Sequence, residues 1–461
     1  MPTLGLSMIV RNEAHTLRSC LNSVQGLVSQ IVIADTGSTD NSPEIAREYG
    51  AHVISVPWEN DYAKARNAAL IPMKTDWILV LDADEELDAE AKHLVPELMA
   101  APDISGYITV IRDYMPGTSS YYLDQHSKRN DSRLERAKGA ASYHDQQTIR
   151  LFRNHPEIYY FGRVHELVEY RICKLGLKYV PCNIVIHHFG HLRGADVREK
   201  KHLFYRELGR LKIKEQPDNP FAFFELGILE YQAFRNYDTA LQCFRETVRL
   251  FPKFIRAWLF MAMIQLDLHQ PAEAMATIER AEGTEEAAGL RERLKGDAFT
   301  ELGKAPEARV AYENALRYGG ADPNIESKLG YAEVRLGEHT SGIQKLERAV
   351  AVLQHSAEAH DRLVKAYVIA GNLEGAAEAA ERFAGSIAHP KTFLRAASIR
   401  AQLQQWDRAE KSLARGLQLF PQSQELLRAH EEVEMQNAVL KRSQTPVGPN
   451  PISHGVPTCQ P

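Results

Sequence analysis

A period of 34 residues in the second half of the chain constrains its fold more than any other sequence feature. Beyond residue 216, small residues recur at intervals of 34, 34, 34, 34 and 33 residues: Ala240, Ala274, Ala308, Gly342, Ala376 and Ala409. Four positions after each stands a further apolar residue: Phe244, Ile278, Tyr312, Leu346, Ala380 and Leu413. A unit of this length cannot bury its apolar face alone, so neighbouring units stack. The period therefore predicts stacked helical repeats rather than a generic helical bundle.

This pattern resembles the tetratricopeptide repeat, whose small positions let paired helices approach closely. The small residue recurs six times at this spacing, which predicts an all-α solenoid of about six tetratricopeptide repeats over residues 216–435. The concave surface of such an array suits protein partners or an extended acceptor chain. The Pro-rich segment 436–461 predicts a disordered tail.

The first half of the chain follows a different pattern, in which short apolar strands alternate with helices. The predicted strands are residues 4–10, 31–34, 53–56, 77–81, 106–111 and 148–152. One intervening helix has clear boundaries, with Ser42 as its N-cap and Gly50 as its stop signal. Strands separated by helices of this length form a parallel sheet with right-handed crossovers. We therefore predict an α/β domain over residues 1–215.

Two carboxylates, Asp82 and Asp84, follow directly on the apolar run 77–81. In open α/β sheets, ligands bind beyond the carboxyl ends of the strands. An Asp-x-Asp at that place suits a hard divalent cation, which takes oxygen ligands. The competing interpretation is a solvated acidic turn before a helix that begins near Asp88.

Other polar residues are predicted at the same edge of the sheet. Asp35 ends the second strand, and Gly37 permits the tight turn that follows. Arg66 lies in the helix before the fourth strand, where its planar guanidinium suits phosphate oxygens. The first strand ends at Val10, in the segment Val10-Arg-Asn-Glu13. Together these segments favour a nucleotide site over a solvated turn.

Four motifs in order carry a resemblance to a known family: Ser7-Met-Ile-Val-Arg-Asn-Glu13, Ala34-Asp-Thr-Gly-Ser-Thr-Asp40, Ala65-Arg-Asn67 and Trp77-Ile-Leu-Val-Leu-Asp-Ala-Asp-Glu85. They resemble the family 2 glycosyltransferases with the GT-A fold, in the branch that carries tetratricopeptide repeats. The resemblance covers about residues 3–215. It implies an inverting transfer from a nucleotide-sugar donor, assisted by a divalent metal ion, Mn²⁺ or Mg²⁺.

The resemblance also implies roles for the residues that match the motifs. Asp35 would face the nucleobase, Asp82 the ribose and Asp84 the metal ion. Arg66 would lie near the base or the diphosphate. Many members of the family have a second Asp where this chain has Thr36, so the identity of the nucleotide stays open.

A second group of motif residues lies downstream. An inverting displacement needs a carboxylate that takes the acceptor's proton, and Glu166 is our candidate for this base. The alternative is a structural ion pair of Glu166 with Arg163 or another nearby cation. His188 is a candidate metal ligand, since imidazole suits manganese as well as zinc; a buried structural histidine is its alternative.

Composition and missing motifs narrow the classes of function. The net charge of −5 gives no reason to expect a nucleic-acid partner. No Gly-rich loop follows the first strand and no Gly-x-Gly-x-x-Gly occurs there, which argues against a nucleotidyltransferase and a dinucleotide oxidoreductase. The five cysteines lack Cys-x-x-Cys spacing, and the sequence has no apolar stretch of transmembrane length. We expect a cytoplasmic enzyme acting on a protein, peptide or glycan; the alternative is a scaffold with a vestigial glycosyltransferase domain.

Overall fold

The computed structural model describes residues 1–116, 121, 122, 125, 126, 128–132, 134–281 and 287–443. The chain divides into two compact units, Met1–Leu294 and Lys295–Pro461. The boundary expected after residue 215 falls inside the first unit, and the domain limits remain a prediction.

The strands belong to the first unit. They are β1 (Leu4–Val10), β2 (Gln30–Asp35), β3 (His52–Ser55), β4 (Trp77–Val80), β5 (Glu85–Leu87), β6 (Gly106–Met115), β7 (Tyr121–Tyr122), β8 (Gln125–His126), β9 (Lys128–Arg129), β10 (Ser142–Arg153) and β11 (Tyr179–His188).

The helices continue through both units. They are α1 (Leu17–Ser23), α2 (Ser42–Glu48), α3 (Tyr62–Leu70), α4 (Ala91–Met99), α5 (Glu169–Lys174), α6 (Ala195–Glu215), α7 (Pro220–Gln232), α8 (Tyr237–Leu250), α9 (Ile255–Asp267), α10 (Pro271–Glu279), α11 (Ala288–Glu301), α12 (Ala305–Gly319), α13 (Pro323–Arg335), α14 (His339–Val352), α15 (Ala357–Ile369), α16 (Leu373–Ser386), α17 (Pro390–Gln402), α18 (Trp406–Leu419) and α19 (Gln424–Ser443).

Among the described residues, nine strands form one mixed sheet in the order β3-β2-β1-β4-β10-β6-β11-β5, with β9 beside β10. The first four pair in parallel, as the sequence pattern predicts. Strand β10 runs antiparallel to β4 and β6, whereas β11 runs parallel to β6 and antiparallel to β5. The predicted α/β fold is confirmed, with a sheet that is mixed beyond β4.

Strand β4 explains why its sequence is a continuous apolar run. Trp77 and Leu79 belong to the core on one face of the sheet, and Ile78 and Val80 to the core on the other. A strand covered on both faces has no solvent side, so its polar residues begin only where it ends.

The helical boundaries differ slightly from the predicted ones. Asn41, rather than Ser42, takes the N-cap position of α2, and Ser42 is its first residue. Helix α4 begins at Ala91 instead of near Asp88. Such shifts of a few residues are common at helix ends.

The repeat positions are close-packing points between paired helices, as predicted. All six small residues of the period are buried. A methyl group on Gly330 would lie 2.7 Å from the carbonyl oxygen of Gly342, so only glycine allows α13 and α14 to pack this closely. The long run of helices confirms the predicted all-α second half.

The last described helix corrects one expectation. Helix α19 extends to Ser443, past Gln436, where the disordered tail was expected to begin. Residues 444–461 lie outside the described part of the chain. In the part that is described, no helix is both long and apolar enough to cross a membrane.

Candidate functional site

Three of the predicted site residues lie where parallel strands end. Val10 of β1 pairs in register with Asp35 of β2, and β4 runs parallel to β1 on its other side. Because the carboxyl ends of parallel strands meet at one edge, Asp35, Asp82 and Asp84 share the edge at which α/β proteins bind ligands.

Arg66 joins two of the predicted residues. Its Nη2 donates to Asp82 Oδ1 at 2.9 Å, and its Nε donates to Glu166 Oε1 at 2.6 Å. The side chain is 8% exposed. Burial opposes the charge of Arg66, but the carboxylates of Asp82 and Glu166 raise its pKa well above the usual value. Arg66 is therefore a fixed cation between two carboxylates 84 positions apart (166 − 82).

Arg150 of β10 adds a second cation, with a side chain that is 13% exposed. Its Nη2 donates to Asp82 Oδ2 at 3.2 Å and to Glu85 Oε1 at 2.9 Å. Burial raises the pKa of Glu85 to about 7, whereas the charges of Arg66 and Arg150 outweigh burial and lower the pKa of Asp82. Asp82 is therefore held as an anion.

His188 lies between Asp84 and Asp113. Its Nε2 is 3.6 Å from Asp84 Oδ2, and its Nδ1 donates to Asp113 Oδ1. Burial alone lowers the pKa of His188, but the two carboxylates raise it to about 10. Burial likewise raises the pKa of Asp84, but His188 and Arg193 lower it to about 2.

The Asp84–His188 pair fits a divalent cation. A carboxylate oxygen and an imidazole nitrogen face each other, and an ion bound between them would displace the proton that the raised pKa keeps on Nε2. The carboxylate of Asp113 orients the imidazole from its other nitrogen, an arrangement common around metal-bound histidines. Gly190 leaves room beside them: a methyl group there would lie 2.5 Å from His188 Nε2 and 2.8 Å from Asp84 Oδ2.

A second set of candidate metal ligands also includes His188. Asp113, His188 and His191 each offer a ligand atom, all within 4.8 Å of one another. Asp113 is already bonded to Nδ1 of His188, so we assign it the orienting role rather than that of a ligand. Burial lowers the pKa of His191 to about 4, which leaves its imidazole neutral at pH 7.

Arg193 connects Asp84 to the motif that follows strand β1. Its Nη2 donates to Asp84 Oδ2 at 3.0 Å and to Glu13 Oε2 at 2.6 Å. Glu13 belongs to the motif after β1, so this contact joins the first predicted motif to the Asp-x-Asp. Sequence reasoning missed Arg193, although it lies only five residues after His188.

Asp35 stands in a different environment. Its carboxylate accepts hydrogen bonds from the backbone N–H of Ser38, at 3.1 Å, and of Gly37, at 3.4 Å. Gly37 has φ +101°, which an L side chain rarely adopts. The turn after β2 is therefore shaped by Asp35 itself and places its carboxylate at the sheet edge without joining it to the Arg66 network.

Glu166 forms the ion pair that its structural alternative describes, but with Arg66 and not with Arg163. Arg163 pairs with Glu215 of α6 instead. The charge of Glu166 reaches two tyrosines, Tyr62 of α3 and Tyr205 of α6, whose ring centroids are 6.1 Å apart. Burial and the charge of Glu166 raise the pKa of Tyr205 to about 12.

Two family models match the chain: "Glycosyl transferase family 2" matches residues 6–160, and "Tetratricopeptide repeat-like domain" matches residues 256–334. Glu166 and His188 lie beyond the first match. A TPR repeat-containing protein of Synechococcus elongatus is 32% identical over 240 residues, which cover 50% of this chain and 53% of that protein. The prophage-derived glycosyltransferase SunS of Bacillus subtilis is 23% identical over 256 residues, 55% of each chain.

The lipopolysaccharide core biosynthesis glycosyltransferase LpsC of Rhizobium meliloti is 33% identical over 147 residues, 30% of this chain and 54% of that protein. The chain thus spans about half the length of the curated relatives it matches. Among solved structures, the type IV pilus biogenesis factor PilW matches 45% of this chain and 97% of its own, with 19% identity and a TM-score of 0.40. The chain therefore contains a glycosyl transferase family 2 domain followed by tetratricopeptide repeats.

Proposed function

We propose that this protein is a metal-dependent inverting glycosyltransferase that moves a sugar from a nucleotide-sugar donor to an acceptor. One observation carries the proposal: Asp82, Asp84, Arg66, Glu166 and His188, named from separate segments of the sequence, belong to two charge networks beside the carboxyl ends of the strands. Replacing such ion pairs with apolar residues is often neutral or stabilising, so stability alone does not call for these charges.

The donor side of the proposed site consists of Asp35, Asp82 and Arg66. Asp82 is a partly exposed anion with two cationic partners, so its carboxylate has a fixed orientation for accepting hydrogen bonds from ribose hydroxyls. Asp35 lies at the adjacent strand end, which suits contact with the base. Arg66 supplies a fixed positive charge close to where a diphosphate would lie.

The proposed acceptor side is built on Glu166. In a single displacement, the acceptor's nucleophilic atom bonds to the anomeric carbon as the bond to the nucleoside diphosphate breaks. Glu166 takes the proton that the nucleophile loses, and the diphosphate leaves with the bonding electrons. The Nε–H of Arg66 donates to Oε1 and holds the carboxylate. Within the described part of the chain no hydrogen bond to Oε2 is found, and this oxygen would take the proton.

Asp84 and His188 would hold the divalent ion, Mn²⁺ or Mg²⁺, with Asp113 orienting the imidazole. Such an ion stabilises the negative charge that develops on a departing diphosphate. The protein's part is to fix these two groups on strand ends and to leave space between them at Gly190.

We propose a protein, peptide or glycan as acceptor, and a cytoplasmic site of action. The names of the relatives support a sugar-transfer reaction and include a lipopolysaccharide core enzyme. The tetratricopeptide repeats would bind the acceptor or a protein partner on their concave face.

Hydrolysis of a panel of nucleotide sugars by the purified protein tests the proposal. We expect Mn²⁺-dependent release of nucleoside diphosphate from one donor, and its loss in excess chelator. Nucleotide binding without a metal requirement would overturn the metal-dependent mechanism. A folded protein that neither binds nor hydrolyses any donor would instead support the scaffold alternative.

A further inference from the structure

Glu166 lies in a turn with an uncommon backbone. Phe161 and Leu167 close the turn through an isolated bridge, with mutual N–H to carbonyl hydrogen bonds of 3.1 and 3.2 Å. Inside it, Gly162 has φ +102° and His165, directly before Glu166, has φ +52°. A non-glycine residue in this region is strained and persists only where the surroundings hold it in place.

Helix α6 supplies part of that support through Lys212. The side chain of Lys212 is 6% exposed, and its Nζ donates to the carbonyl oxygen of Val164 at 3.0 Å. A second bond, of 2.7 Å, reaches Glu225 Oε2 on α7. A buried ammonium needs both an anionic partner and acceptors for its protons. Val164, which precedes His165, is therefore fixed by a buried cation that α7 neutralises.

Arg163 supports the other side of the turn. Its guanidinium donates to Glu215 at the end of α6, at 2.5 and 3.0 Å, and to the carbonyl oxygen of Asn60 at 2.9 Å. Its own carbonyl accepts from the N–H of Tyr62 at 2.9 Å. The side chains of Arg163 and Glu215 are more exposed than that of Lys212. Of the two cations that hold this turn, Lys212 is therefore the buried one.

We infer that Lys212 is a positioning residue for sugar transfer: through the carbonyl of Val164 it holds the turn that aims Glu166, and through Glu225 it couples that turn to α7. This inference rests on the proposed function and deepens it. It places α6 and α7, which follow the matched family segment 6–160, within the machinery that orients the catalytic base.

The test compares Lys212→Met with Lys214→Met in the full-length protein. Lys214 is exposed on the same helix and serves as the matched control. Misplacing a catalytic group by about 1 Å costs about 100-fold in rate, so we expect Lys212→Met to slow transfer about 10- to 100-fold. Nucleotide affinity should change far less than the transfer rate, because Lys212 bonds to Val164 and Glu225 and Arg66 keeps its bond to Asp82. Lys214→Met should leave both quantities unchanged.

A double-mutant cycle separates positioning from general destabilisation. If Lys212 acts through Glu166, Lys212→Met added to Glu166→Gln should cause little further loss, because residues in one pathway are not additive. Additive losses would overturn the inference. So would a folded Lys212→Met protein that transfers sugar at the wild-type rate.

Hydrogen exchange provides a readout that needs no substrate. We expect the amides of residues 161–167 to exchange faster in Lys212→Met than in Lys214→Met. If Lys212→Met does not fold, Glu225→Gln keeps the lysine but removes its anionic partner, and a smaller change in the same direction is expected. Unchanged exchange in these variants overturns the positioning role, whereas a wild-type protein without transfer activity overturns the proposed function.

Discussion

His188 owes its place beside Asp84 to the pairing of three strands. Strand β11 lies between β6 and β5, so the register sets His188 opposite Asp113 on one side and opposite Glu85 on the other. Asp84 directly precedes β5. A strand shift of one residue would turn His188 to the opposite face of the sheet, so the candidate metal site depends on this register.

Gly190→Ala tests the space between the two candidate ligands. The added methyl group would collide with Asp84 and with His188, whose ring cannot easily turn because Asp113 holds it. We expect Mn²⁺ affinity to fall about 10- to 100-fold, the size typical of changes in the groups that orient metal ligands. Isothermal titration with Mn²⁺ measures it.

Gly194→Ala is the matched control, because a methyl group there meets no atom within 4 Å. Equal Mn²⁺ affinity of the two variants would contradict the placement of the ion between Asp84 and His188.

Glu166→Gln tests the proposed base. Glutamine keeps an oxygen that accepts the bond from Arg66 Nε but cannot take a proton at neutral pH. General-base catalysis contributes about 100- to 10,000-fold, so transfer should slow by that order while nucleotide affinity stays the same. Transfer rate and nucleotide affinity are measured on one preparation, beside Glu157→Gln, which changes an exposed glutamate. A lost nucleotide affinity would place Glu166 in the donor site.

Single residues show what the sequence reveals about the site. Asp82 and Asp84 follow an apolar run directly, so the local sequence pattern suffices to find them. The local pattern does not identify Asp113, which lies within the long strand β6. Its importance comes from its hydrogen bond with His188, 75 residues away. Arg150 lies in the predicted strand 148–152, but its contact with Asp82 depends on the antiparallel pairing of β10 with β4.

At the scale of elements, local periodicity predicts the strands but not their order. Strands β1 to β4 alternate with helices and pair in parallel, as expected from crossover connections. Strand β10 inserts between β4 and β6, and β5 pairs at the far edge of the sheet. These pairings are non-local, and no short-range pattern in the sequence specifies them.

The repeat helices offer an element-scale prediction at α17. Arg400 has a 1% exposed side chain and donates two bonds of 2.7 Å to Glu381 of α16. It also pairs with Glu374 at the start of α16. Arg400→Met removes a buried cation and leaves these half-exposed carboxylates without it. We expect the unfolding free energy to fall by about 1–3 kcal/mol.

Arg408→Met is the comparison for Arg400→Met. Arg408 also pairs with Glu374, at 3.0 Å, but its side chain is 56% exposed. Its loss should change the unfolding free energy by less than about 0.5 kcal/mol. Guanidinium denaturation followed by circular dichroism measures both variants. Equal effects would show that the buried environment of Arg400 adds no stability.

At the scale of the whole molecule, the helices after residue 215 begin inside the unit that holds the site. Arg206 of α6 donates two bonds, of 2.6 and 2.9 Å, to Glu230 of α7, whose side chain is fully buried. Gly209 of α6 likewise lies close to Leu226. Sequence pattern divides the chain at the start of the repeats, because it detects the change of period but not the packing across that point.

Two truncated chains test where the catalytic unit ends. The described contacts of the proposed catalytic residues, including the chain from Glu166 to Glu225, lie within residues 1–225. A protein of residues 1–281 keeps them and should hydrolyse the donor at the full-length rate. A protein of residues 1–215 loses Glu225 and Glu230, leaves Lys212 without its anion and exposes the apolar face of α6. We expect it to denature at lower guanidinium concentration and to hydrolyse the donor more slowly. Equal stability and activity of the two truncated chains would show that α7 contributes nothing to the site and that the domain boundary lies after residue 215.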